Sequence, residues 1–137
     1  MTQLINDTGF VLDDWAHGFC AQGAANDCRA LDLSADTLPE TIELRPGVEM
    51  IRINFPSSAD GRGFSIARAL RLRGYSGRLR AYGAVLADQY TMARRVGFDE
   101  VEVTEDIAAR QPEEQWQFRS NWQDNNYQAG LRATAAK

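Results

Sequence analysis

A chain of 137 residues, 44% hydrophobic and 25% charged, has the size and composition of a single domain with its own apolar core. Its formal net charge of −4 and isoelectric point near 5.0 argue against a general nucleic-acid binder, and no apolar run approaches the length of a membrane span. The only lysine is Lys137 and the only histidine is His17, so a phosphate-loop or Schiff-base lysine is not expected, and any Ser-His or Cys-His catalysis would run through His17.

The first residues, Met1 to Asp7, lack the basic start and long apolar segment of a signal peptide, so the expected location is cytoplasmic. Gly9-Phe10-Val11-Leu12 reads as a short strand ended by Asp13-Asp14. Trp15 is expected at the edge of the core. His17, Cys20 and Cys28 lack both Cys-x-x-Cys and His-x-x-x-His spacing, so no metal site is expected. The two cysteines are expected as buried or half-buried thiols that stay reduced in a cytosol, beside a surface histidine. Residues 21–40 are small and polar and read as loop, with at most one helical turn. The organisation this gives is an irregular segment over 1–40 packed on the core, an α/β core over 41–120, and a flexible tail over 121–137.

From Thr41 the patterning sharpens. Alternation predicts strands over Thr41–Arg45, Met50–Phe55, Arg78–Gly83 and Glu100–Val103. Helical spacing joins Phe64, Ala67 and Leu70, with Gly74 as the stop. It joins Leu86, Tyr90, Ala93 and Val96 in a second helix stopped by Gly97. A third helical stretch follows Thr104 and is interrupted and restarted at Pro112, where Trp116 and Trp122 dock it. Repeated strand–helix units imply parallel strands with right-handed crossovers. The strands alternate instead of running apolar throughout, so the predicted fold is a small curled, mostly parallel sheet with helices on one face, resembling part of a β/α barrel. The other face would carry Arg52, Asn54, Arg80, Tyr82 and Glu102. These side chains would either form a concave binding wall or pair across strands and meet solvent.

The main chemical signal is arginine. Arg62, Arg68, Arg71, Arg73, Arg78 and Arg80 crowd one window, and no Asp or Glu occurs between Gly61 and Ala87. Guanidinium groups suit bidentate contact with phosphate, sulfate or carboxylate, or an acidic protein surface. The loop from Phe55 to Ser65 turns strand into helix and could hold an anion on backbone N–H groups. The candidate anion-binding residues are Asp60, Gly61, Arg62, Gly63, Ser65, Arg68 and Arg80. Ser65 could instead cap the helix, Asp60 could bond loop N–H groups, and Asp88, beside Gln89, could be catalytic but is expected to pair with Arg95 on a helix surface. Gly61-x-Gly63 lacks the third glycine of a dinucleotide fingerprint. No flavin, nicotinamide or metal motif is evident, so no cofactor is expected, and no catalytic residue is identified.

Phe55-Pro56, Asp60-Gly61-Arg62-Gly63-x-Ser65, Ala67-Arg68, Leu79-Arg80-Ala81-x-Gly83-x-Val85-Leu86-x-Asp88-Gln89 and Arg94-Arg95-x-Gly97-Phe98-Asp99 together resemble a bacterial domain family of unknown function. That family is often described as probable oxidoreductases of sulfite reduction, and its members are typically encoded with sulfite reductase and other enzymes of sulfate assimilation, the route to cysteine biosynthesis. The resemblance covers about residues 50–104, and Val96 stands where the family commonly has cysteine. It implies an accessory protein that binds sulfite reductase, another sulfate-assimilation enzyme or a sulfur oxyanion through the arginine-rich side. The alternative is an enzyme acting on an anionic metabolite such as sulfite or an adenylyl sulfate, with Asp60 to Ser65 as socket and Arg80 and Glu102 on the wall. A third reading makes the polar wall a homodimer interface. Nucleic acid and membrane are not expected partners.

Overall fold

A computed structural model describes residues 2–21, 28–120 and 122. Seven strands form one open sheet: β1 (Thr2–Asn6), β2 (Gly9–Val11), β3 (Cys20–Ala21), β4 (Ala30–Leu33), β5 (Met50–Phe55), β6 (Arg78–Gly83) and β7 (Glu100–Thr104). Their order is β2-β1-β7-β6-β5-β4-β3. Strands β3 to β7 run parallel, and β1 pairs antiparallel with both β2 and β7. Because β3 to β7 follow one another in a single direction, right-handed crossovers put α1 (Arg62–Leu72) and α2 (Tyr90–Val96) on the same face. This is the winding of a β/α barrel that has not closed. Two short helices, α3 (Glu105–Arg110) and α4 (Glu113–Phe118), follow β7.

Strand alternation divides the residues between the faces. Ile51, Ile53 and Phe55, with Leu79, Ala81, Val101, Val103, Leu31 and Ile5, point toward the helices and are buried. From α1, Phe64, Ile66, Ala67 and Leu70 meet them, and α2 adds Tyr90 and Ala93. Each fully buried aliphatic or aromatic side chain contributes about 1.5–3 kcal/mol. Phe55, Phe64 and Phe98 pack edge to face with centroids 4.9, 5.8 and 6.5 Å apart. Gly63 lets α1 approach this cluster, since a Cβ there would lie 2.5 Å from the Phe55 ring.

The helix ends follow the predicted chemistry. Beyond α1, Gly74 takes φ 94° and Tyr75 N–H reaches back to Leu70 O at 3.1 Å. Beyond α2, Gly97 takes φ 117° and Phe98 N–H bonds Ala93 O at 2.9 Å. Thr104 caps α3 by accepting from Ile107 N–H. Pro112 separates α3 from α4, whose Trp116 is fully buried.

Three expectations are corrected. Residues 1–40 are not an irregular segment, because they supply β1 to β4. Thr41–Arg45 is not a strand. Pro39 opens a 3-10 turn over Pro39–Thr41, and the buried Ile42 and Val48 anchor the crossover into β5. The cysteines are not free thiols: Cys20 and Cys28 form a disulfide with Cα atoms 6.3 Å apart. Strand β3 lies beside β4 with Cys20 opposite Leu31, three residues along the chain from Cys28. His17 is exposed, as expected, and contacts Arg29 at 3.0 Å. The expected tail falls outside the described residues, except that Trp122 N–H reaches Asp7 and its ring lies 4.7 Å from the Arg94 guanidinium.

Candidate functional site

The polar face of the sheet is occupied by its own ion pairs. Register places Asp32, Arg52 and Arg80 side by side, and then sets Arg80 opposite Glu100 and Tyr82 opposite Glu102. Arg80 is 0% exposed. Its Nε donates to Glu100 at 2.6 Å, and its terminal nitrogens donate to Glu102 at 2.9 Å and to Asp13 at 2.9 and 3.0 Å. Arg52 bonds Asp32 at 2.8 Å and Glu102 at 3.2 Å, and Arg78 bonds Glu100 at 2.6 Å and Asp14 at 2.9 Å. Burial disfavours the Arg80 charge, yet the bonds to Asp13, Glu100 and Glu102 outweigh it and hold its pKa above the ordinary range. Asp13 moves the other way, held below its ordinary value chiefly by the Arg80 hydrogen bond.

Asp13 and Asp14 belong to residues 12–19, a strap laid across this face. Phe19 seals it, with the Arg52 guanidinium 3.9 Å and the Arg80 guanidinium 5.8 Å from the ring centroid. Three guanidiniums here meet five carboxylates. The wall is therefore acidic on balance, and Arg80 and Glu102 are bonded to each other. Asp13, Asp14 and Phe19 could not be read as partners from local pattern, because nothing local says which face a strap will cover. Glu100 and Glu102 were visible through the alternation of β7.

The strand-to-helix loop is also self-paired. Asp60 accepts from Arg62 N–H at 3.1 Å and from the Arg62 guanidinium at 2.9 and 2.6 Å. The Arg62 bonds hold the Asp60 carboxyl at a pKa of about 2. Gly61 is the N-cap of α1 and has no side chain to accept from the helix, so Ser65 does not cap and stays exposed on the first turn. Arg62 and Ser65 line a shallow cavity of about 370 Å³ with Asp36, Thr37, Leu38 and Ile66. Arg80 lies on the opposite side of the sheet and does not join them.

The remaining arginines divide into latches and surface groups. Arg71 donates to the carbonyls of Gly97, Tyr75 and Gly77 and to Asp99, which ties α1 to the ends of its neighbours. Arg73 bonds Pro39 O at 2.7 Å. Arg95 bonds Trp122 O at 3.3 Å, while Asp88 pairs with Arg119 and not with Arg95. Arg68 is exposed and has no ion-pair partner among the described residues. Together α1 and α2 carry Arg62, Arg68, Arg71, Arg94 and Arg95 and no carboxylate. Leu72 and Met92 are 77% and 55% exposed on the same layer.

At the carboxyl ends of β5, β6 and β7 lies a cavity of about 330 Å³, the end at which open α/β sheets take ligands. Asn54 and Tyr82 line it, with Phe55, Pro56, Gly83, Thr104, Asp106, Ile107 and Arg110 contributing. Gly83 has φ 114°, and a Cβ there would lie 2.6 Å from Phe55 O. Gln89 braces the rim. It accepts from Leu86 N–H at 2.9 Å and donates to Ser58 O at 2.8 Å, joining the loops after β5 and β6.

Residues 30–136 match the family described as "Bacterial protein of unknown function (DUF934)". The match takes in β4 to α4, a longer stretch than the motifs that first suggested a bacterial family of unknown function. No curated protein and no solved structure matches the chain.

Proposed function

We propose that this chain, which belongs to the bacterial family DUF934, is an accessory protein of sulfite reduction that docks on its partner reductase through the outer surface of α1 and α2. The observation that carries this reading is that Arg68 and Arg95, exposed on α1 and α2, have no carboxylate partner among the described residues, whereas Arg62, Arg71 and Arg94 of the same helices are paired with aspartates. Exposed Leu72 and Met92 beside Arg68 and Arg95 supply apolar contacts of the kind a protein interface buries. Complementary charge then speeds encounter and selects an acidic partner surface. Sulfite reduction enters through the sequence motifs alone.

Two other readings draw on fewer observations. An enzyme acting on sulfite or an adenylyl sulfate would use Arg80 and Glu102, and these are bonded to each other at 2.9 Å. A sulfur oxyanion held by the loop at Asp60 would have to displace that carboxylate from Arg62. A homodimer joined by the polar wall would first have to displace the strap.

The test is capture of purified sulfite reductase from the same bacterium on the immobilised protein. Binding is expected for the native chain and is expected to fall at least about tenfold for the double variant Arg68→Glu, Arg95→Glu, a change of about 1.4 kcal/mol or more. Equal capture by both proteins overturns the assigned surface, and no capture by either overturns the reading.

A further inference from the structure

The carboxyl-end cavity holds polar groups that the fold does not use. Asn54 and Tyr82 are direct register partners on β5 and β6. Both are half-buried, and neither the Asn54 amide nor the Tyr82 hydroxyl has a hydrogen-bond partner among the described residues. Elsewhere the polar face is fully paired, so two adjacent unused groups at the ligand-binding end of a sheet stand out. Tyr82 is also fixed in place. Its ring lies 4.3 Å from the Arg52 guanidinium, which Asp32 and Glu102 hold in turn. Thr104 Oγ1 accepts from Ile107 N–H, which leaves its hydroxyl proton to donate.

The charge at the rim limits what can bind. Asp106 and Arg110 are the only ionisable side chains of the lining apart from the Tyr82 phenol, and they pair with each other at 2.6 Å across one turn of α3. Their side chains are 73% and 69% exposed, and such a pair is worth only a few tenths of a kcal/mol. A simple anion would find a site of zero net charge and would have to compete with Asp106 for Arg110. A zwitterion exchanges that one weak pair for two, carboxylate on Arg110 and ammonium on Asp106. Its side chain would then extend inward to Asn54, Tyr82 and Thr104, over the apolar floor of Phe55, Pro56 and Ile107. A cavity of about 330 Å³ admits a molecule of that size and excludes a dinucleotide.

We infer that this cavity is a binding site for a free α-amino acid with a short polar side chain, recognised at both charged ends by Arg110 and Asp106 and at its side chain by Asn54 and Tyr82. No residue of this site belongs to α1 or α2, so the inference stands or falls apart from the docking reading.

The experiment is thermal unfolding and titration calorimetry of the full chain with L-serine, L-threonine or L-asparagine at millimolar concentration. Acetate, ethanolamine and sulfite serve as comparisons that carry charge of one sign only. At least one of the three amino acids is expected to raise the melting temperature saturably, while the three comparison compounds leave it unchanged. Asn54→Ala and Tyr82→Phe are each expected to weaken the amino acid roughly tenfold. Asp106→Asn should remove the preference over acetate. If Asn54→Ala does not fold, Tyr82→Phe decides, since it keeps the ring against Arg52. Absence of binding by all three amino acids overturns the inference. So does equal binding of acetate or sulfite, or unchanged affinity in Tyr82→Phe.

Discussion

Arg80 shows how one side chain's meaning depends on the face it is dealt. As a letter in an arginine-rich stretch it suggests an anion site. In the folded chain it is fully buried and holds Glu100, Glu102 and Asp13 together. Replacing it by methionine keeps most of the volume but strips Glu100 and Glu102 of the cation they share, leaving Glu100 to Arg78 and Glu102 to Arg52. Removing one partner of such a buried set costs about 3–5 kcal/mol. Arg80→Met is therefore expected to lower the unfolding free energy by about that amount in urea titrations, whereas Arg68→Met, at an exposed unpaired position, should change it by less than about 0.5 kcal/mol. Equal effects of the two substitutions would mean that the Arg80 pairs contribute no more than solvent does. Alternation correctly assigned Arg80 to the polar face. What it could not supply was the strap, since Asp13 is 67 residues away from its partner along the chain.

At the scale of elements, the strap over residues 12–19 is held by charge on one side and by the Cys20–Cys28 bond at its end. Asp13 and Asp14 both titrate below the ordinary aspartate value of 3.8, pulled down chiefly by Arg80 and Arg78 respectively. A carboxyl whose folded pKa is depressed stabilises the fold above its unfolded pKa and loses that contribution as pH falls through the folded value. The strap should thus be closed at neutral pH and loosen below about pH 4, while its tethered end at Cys20 stays in place. Amide hydrogen exchange read by mass spectrometry, corrected for the intrinsic pH dependence of exchange, checks this. Protection of the Trp15 amide, whose N–H bonds the Asp13 carboxylate, should fall between pH 5 and pH 3 before that of β5 and β6, and a simultaneous loss would show that the strap has no separate stability.

The same scale explains which elements could be read beforehand. From β5 to α4, strands of five or six residues alternate with helices closed by Gly74 and Gly97, so periodicity and stop signals agree. Strands β3 and β4 have two and four residues among small polar neighbours, too few for a period to register. Strand β1 gains its place from pairing with β7, nearly a hundred residues later, which no local pattern carries. The alternating stretch Thr41–Arg45 misled for the opposite reason. Flanking Pro39 and Pro46 leave it no partner strand, and its apolar residues anchor a crossover instead.

For the whole molecule, the direction of winding decides where binding is left to happen. Strands β3 to β7 step one way across the sheet, so α1 and α2 share one face and the strap closes the other. Charge follows the same division. Helices α1 and α2 carry five arginines and no carboxylate, while α3 and α4 begin with Glu105, Asp106, Glu113 and Glu114. A partner attracted to the basic layer should bind through exposed charges, which salt screens over a Debye length of about 10 Å at 0.1 M and about 3 Å at 1 M. Raising sodium chloride from about 0.05 to about 0.5 M should slow association with sulfite reductase at least about tenfold and leave dissociation nearly unchanged, because steering acts on encounter. In surface plasmon resonance the Arg68→Ala, Arg95→Ala double variant should start from a slower association rate and respond less to salt. The buried pairs around Arg80 are shielded from the same salt and so should not contribute to the response. If the variant retains the full salt slope of the native chain, the charges that steer the partner lie elsewhere, and the basic helical layer is not the docking face.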